Sequence, residues 1–114
     1  MGKAETFREY RERMNQRILE EGTLVTKRFF GLDARCYEPG ALDAKTKELM
    51  GLSASLVLRC DDCIAYHVLR CLEEGVTRPE LMEVLDVGLV VGGSITIPHI
   101  RRVHELLDEV SPVD

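Results

Sequence analysis

Two cysteines, a histidine and a glutamate stand at spacings that suit thiol chemistry. Cys60-Asp61-Asp62-Cys63 is a CxxC pair, and it falls where a helix is predicted to begin. A helix N-terminus aims free backbone N–H groups outward, which favours thiolate over thiol. His67 follows Cys63 by four residues and Cys60 by seven, so at helical periodicity all three share one face. A neutral imidazole there can take the proton of Cys63, and an imidazolium can stabilise its thiolate. One helix turn separates the two cysteines, which puts the sulfurs within reach of a reversible disulfide. Glu48 lies twelve residues before Cys60, on the preceding predicted helix. If the two helices fold back on each other, its carboxylate can face His67, and a buried carboxylate costs free energy unless it is paired. Lys45 and Lys47 flank Glu48, which leaves exposure to solvent as the alternative.

The same residues admit other readings. A CxxC pair is often half of a zinc site, and Cys60, Cys63, His67 and Glu48 could complete a tetrahedron, although a second CxxC or Cys-His pair is missing. An inert buried pair is the structural alternative. Cys71 continues the face of Cys63 and His67 and is read as core. Cys36 falls in a connection, and its character stays open between reactive and packed. His99 and His104 lie on the last predicted helix, where structural or interface roles are expected, and Met50 and Met82 are assigned to the core.

These side chains must be positioned by helices, because no segment alternates strictly enough for a strand. Residues 3–21 are predicted to form a charged helix with an apolar stripe of Phe7, Tyr10, Met14 and Ile18. Arg8 with Glu12 and Glu9 with Arg13 are expected as i,i+4 pairs, and Gly22 as the stop. A stripe this narrow suits a peripheral helix, or one that docks on another subunit. Residues 23–30 form a second helix, and 31–40 a connection. Asp43 is the expected N-cap of a third helix to about Leu58, apolar enough to lie at the centre. A fourth runs from about Asp61 to Glu74. Thr77 and Glu80 are placed as a capping box for a fifth, with Pro79 in its first turn. Gly92-Gly93 ends it, and Ser94 is read as the cap of a last helix to about Glu109. The fold class is therefore all-α, a single domain over 1–114 with 1–22 as a peripheral helix.

Composition narrows the function. The chain has 114 residues, a net charge of −5 and a pI near 5.2. An acidic surface repels phosphate backbones, which argues against nucleic acid. The N-terminus is charged at once and no apolar run approaches membrane-spanning length, so neither a signal peptide nor a membrane is expected. A cytoplasmic location follows, where cysteines stay reduced unless they do redox work or bind metal.

The run Leu42-Asp43-Ala44-Lys45-Thr46-Lys47-Glu48-Leu49, followed by Cys60-x-x-Cys63-x-x-x-His67, resembles the alkylhydroperoxidase D-like signature of the carboxymuconolactone decarboxylase family. Gly92-Gly93-Ser94-Ile95-Thr96-Ile97-Pro98-His99 resembles a further segment typical of that family. The likeness spans residues 24–109. It implies an all-α fold in which the CxxC heads a helix of a two-helix core motif. It implies thiol-dependent reduction of a small-molecule peroxide or disulfide, with Glu, a water and His relaying the proton of the second Cys. Carried over, Cys63 is the activated thiol, Cys60 its disulfide partner, His67 the base and Glu48 the group that orients it. No cofactor is called for, and a dithiol electron donor, lipoyl or thioredoxin-like, would regenerate the pair. The best-known peroxidases of the family carry a His where this chain has Asp62. Asp61 and Asp62 together should oppose thiolate formation, which affects peroxidase activity more than dithiol–disulfide exchange. The rivals are a lactone decarboxylating lyase, which needs no cysteine pair, and a non-enzymatic metal-binding or assembly module. The likeness also implies a homo-oligomer, a hexamer of three dimers. The apolar breadth of Leu81–Val91 and Ile95–Ile97 is an independent reason to expect assembly.

Overall fold

Helix signals in the chain are local and closely spaced, and most of them operate. The computed structural model describes residues 2–111. Met1 and 112–114, which the expected 1–114 domain includes, lie outside the described residues. Six α-helices follow one another: α1 (Lys3–Glu21), α2 (Leu24–Cys36), α3 (Ala44–Leu58), α4 (Asp61–Glu73), α5 (Arg78–Gly92) and α6 (Ile97–Val110). A 3-10 turn at Ser94–Thr96 precedes α6, and no strand occurs among the described residues. The all-α expectation holds.

The caps explain several of these boundaries. The Asp43 side chain accepts the backbone N–H of Thr46 at the start of α3, and this bond holds its carboxyl below the usual range. Thr77 and Glu80 complete the capping box of α5: each side chain accepts from the other's backbone N–H. Two boundaries differ from expectation. Helix α2 runs on through Gly31 to Cys36, so part of the expected connection is helical. A glycine costs a helix only about 1 kcal/mol, and Leu32, Ala34 and Arg35 continue the helical pattern. Ser94 opens the 3-10 turn and does not cap α6, which begins after Thr96. Pro98 falls in the first turn of α6, where its missing N–H is harmless.

Helix α3 packs against both α4 and α5, and α4 also meets α6. The core between them comprises Leu52 and Leu56 of α3, Val68 and Cys71 of α4, Leu81 and Leu85 of α5, and Val103 and Leu107 of α6. Truncating one of the fully buried leucines would cost about 2–5 kcal/mol. Gly88 of α5 lets that helix approach α3, since a Cβ there would stand 2.6 Å from Leu56 Cδ2. Met82 packs against this core as expected, whereas Met50 is 57 % exposed and does not belong to it. The difference is one of phase: Met50 sits on the face of α3 turned away from α4 and α5.

Helix α1 lies along α6 and touches α2. Its first backbone N–H groups, those of Lys3 and Ala4, donate to the Glu109 carboxylate at 2.6 and 2.8 Å. Ala4 is its single buried residue. Arg8 pairs with Glu73 of α4 at 3.9 Å instead of with Glu12, and Arg11 stacks over the Tyr66 ring at 3.9 Å. The expected Glu9–Arg13 pair is absent among the described residues: Arg13 lies 5.7 Å from the Tyr10 ring on the same helix, and the i,i+4 pair that α1 does form is Arg17 with Glu21 at 2.9 Å. No helix among the described residues is long and apolar enough to cross a membrane.

Candidate functional site

Helices α3 and α4 bring the four expected residues together. Cys60 is the N-cap of α4, and the Cys63 N–H donates to Cys60 Sγ at 3.3 Å. The two cysteines are joined as a disulfide, with their Cα atoms 5.3 Å apart. His67 lies one turn further along α4 and is buried. Its Nδ1 is 2.8 Å from Glu48 Oε1 on α3. Glu48 is 1 % exposed, so the reading that places it in solvent beside Lys45 and Lys47 is excluded. Both lysines point elsewhere, Lys45 to Glu80 at 3.1 Å and Lys47 to the carbonyls of Cys36 and Glu38.

The contact sets the tautomer. A carboxylate only accepts, so with Glu48 ionised Nδ1 carries the hydrogen and the lone pair of neutral His67 is on Nε2. Cys63 and His67 line one cavity of about 500 Å³, walled by Tyr66 of α4 and by Tyr10, Arg11 and Met14 of α1. The arrangement can take a proton from a thiol, hold it on an imidazole and balance the charge with a buried carboxylate.

Three further residues belong to the same cluster and escaped the sequence reading. Arg70 Nε stands 3.6 Å from Glu48 Oε2, while the guanidinium also binds Glu73 and Glu74. The hydrogen bond to Glu73, followed by the field of Glu48, holds the Arg70 pKa up against partial burial. Its position three residues after His67 on one helix is the signal that could have found it. Tyr66 and Tyr37 flank the imidazole, with ring centroids at 5.2 and 5.4 Å. Burial pushes the Tyr37 phenol pKa up, and Glu48 and Asp33 add to it. No local pattern links Tyr37, at the end of α2, to a histidine thirty residues away.

Asp61 and Asp62 prove unequal. Asp61 is paired with His99 Nδ1 at 2.6 Å and Arg102 at 3.4 Å, so the Arg102 guanidinium on α6 offsets its charge beside the helix terminus. Asp62 has no ion-pair partner among the described residues and lines the cavity with Cys63. His99 thus has a structural contact at the site's edge, and His104 is exposed. Cys71 is fully buried, which pushes its thiol pKa up to about 12, and Cys36 is exposed. No cluster of three or more His, Cys, Asp or Glu side chains suited to a metal ion occurs among the described residues.

Comparison with known proteins points one way. The sequence model of the carboxymuconolactone decarboxylase family matches residues 23–105. A crystal structure from Thermotoga maritima, described as a protein of that family with a suggested involvement in antioxidative response, superposes with a TM-score of 0.89 at 58 % identity. The match covers 92 % of this chain and 89 % of that one. A family member from Legionella pneumophila, crystallised in its apo form, gives a TM-score of 0.85 at 26 % identity, over 96 % of this chain and 97 % of that one. The Paracoccus denitrificans "uncharacterized protein 4 in cox locus" is 29 % identical over 78 % of this chain and 80 % of its own.

Proposed function

Since the chain belongs to the carboxymuconolactone decarboxylase family, we propose that it is a thiol-dependent oxidoreductase that cycles Cys60 and Cys63 between dithiol and disulfide. One observation carries the reading: a disulfide-forming pair at the head of α4 opens, through Cys63, into the cavity that also holds a His67 oriented by buried Glu48. A lactone decarboxylating lyase would leave that cysteine pair without a use.

In the reduced protein His67 Nε2 takes the Cys63 proton, and the thiolate attacks the distal oxygen of a hydroperoxide. The O–O bond breaks, an alcohol leaves with a proton, and Cys63 becomes a sulfenic acid. Cys60 then attacks that sulfur, the disulfide forms and water leaves, so one peroxide is reduced by two electrons from the pair. A dithiol donor, lipoyl or thioredoxin-like, returns both electrons by thiol–disulfide exchange and ends as its own disulfide. A small disulfide substrate enters by the same exchange. Asp62 beside the thiol disfavours thiolate, which supports exchange over peroxide turnover. The reading treats residues 1–114 as one domain that works in the cytoplasm. It also takes the chain as a homo-hexamer, supported by exposed apolar side chains on α2 (Leu24, Val25, Phe29) and α5 (Val87, Val90, Val91).

The test is a screen of the reduced protein against hydroperoxides, small disulfides and dithiols such as dihydrolipoamide. Loss of two thiols per substrate reduced, abolished by Cys63→Ser, is expected. Thiols that survive every oxidant, or turnover that persists without Cys63, would overturn the reading.

A further inference from the structure

Gly51 occupies the middle of α3, where a glycine weakens a helix and an alanine would strengthen it. The structure shows why no side chain fits. A Cβ on Gly51 would stand 2.7 Å from His67 Cε1, 3.0 Å from His67 Nδ1 and 2.8 Å from the Tyr37 hydroxyl oxygen. One point beside α3 is therefore approached at once by the imidazole and by the phenol. The imidazole cannot give way freely. His67 is held at 2.8 Å by Glu48, and its ring has Tyr37 on one side and Tyr66 on another.

We propose that Gly51 and Tyr37 are positioning residues of the redox site. The bare backbone of Gly51 forms the slot for the His67 imidazole, and the Tyr37 ring closes that slot from α2. The inference rests on the Glu48–His67 relay proposed above and deepens it. Glu48 fixes one nitrogen, but a ring held by one hydrogen bond can still pivot about it. The Tyr37 ring, 5.4 Å from that of His67 at an interplanar angle of 39°, blocks the pivot and keeps Nε2 as the nitrogen offered toward the cavity. Tyr37 stays neutral in this role, so its ring does the work and its hydroxyl does not.

The test compares the rate of iodoacetamide alkylation of Cys63 against pH in the reduced full-length protein and in four variants. His67→Ala should shift the midpoint of the profile upward. Gly51→Ala and Tyr37→Ala should shift it in the same direction by about one unit, a tenfold slower rate at neutral pH, while thermal melts confirm that both are folded. Tyr37→Phe should retain the wild-type profile. If Gly51→Ala does not fold, Tyr37→Ala against Tyr37→Phe carries the test alone. A shift in His67→Ala with wild-type profiles in both alanine variants would overturn the positioning role and leave the relay standing. Equal shifts in Tyr37→Phe and Tyr37→Ala would overturn the assignment to the ring. An unshifted His67→Ala profile would overturn the relay and this inference together.

Discussion

Replacing Glu48 by Gln separates two effects that are usually entangled at a buried ion pair. Unit charges at the 3.6 Å separation of Glu48 from Arg70 interact by about 4–5 kcal/mol at an effective dielectric near 20. That figure is an upper bound, because the Arg70 side chain is 29 % exposed and solvent screens it. Deleting one member of a buried pair typically costs about 3–5 kcal/mol, mostly because the other charge is stranded. Here neither partner is stranded. Arg70 keeps Glu73 and Glu74, and His67 can simply remain neutral. The Gln side-chain oxygen can still accept from Nδ1–H, so what is lost is the difference between a charge-assisted and a neutral hydrogen bond, about 1–2 kcal/mol. Chemistry should suffer more. Without the carboxylate, the imidazolium that forms when Cys63 gives up its proton is no longer balanced, and the rate of Cys63 alkylation should fall by about 10²-fold. Urea unfolding of the oxidised protein gives the first quantity, and stopped-flow alkylation of the reduced protein gives the second. A stability loss of about 4 kcal/mol or more would mean that a charge is stranded after all. An unchanged alkylation rate would remove Glu48 from the relay.

Four further outcomes follow from the same structure. The Cys71 thiol titrates near 12 in the folded chain instead of at its ordinary 9.0, so above pH 9 the unfolded state releases a proton that the native state keeps. Stability should therefore fall between about pH 9 and 12, by up to about 1.4 kcal/mol per pH unit. Tyr37 contributes with the same sign, so the Cys71 share is the part that disappears in Cys71→Ala. In the native oxidised protein a maleimide should label exposed Cys36 and spare Cys71; labelling of both would show that α4 opens. Asp62→His should raise peroxide turnover by replacing an unpaired carboxylate with a cationic donor, and a fall would refute the effect assigned to Asp62. Light scattering at micromolar concentration should give a mass several times 12.9 kDa, whereas a clean monomer would refute assembly through the apolar faces of α2 and α5.

The parts of this molecule legible in its sequence are those governed by separations of three or four residues. Asp43 with Thr46, Thr77 with Glu80, and Cys60 with Cys63 each meet within one helix turn, so residue type and spacing suffice to foresee the contact. The same periodicity places His67 on the face of the cysteines. Glu48 stood at a helical position compatible with His67, but only the packing of α3 on α4 chose between that partner and water. Tyr37 and Gly51 joined the site for the same reason, since a steric slot and a ring contact between helices leave no trace in either helix's own pattern. Tertiary packing also decided against several local expectations. It turned Met50 outward by phase, drew Arg8 from Glu12 to Glu73 and gave Asp61 the partners His99 and Arg102. Local hydrogen-bonding preferences act through the covalent chain and can be read along it. A buried charge or a crowded ring is satisfied by whatever the folded helices bring within a few ångströms, and that is settled only when they pack.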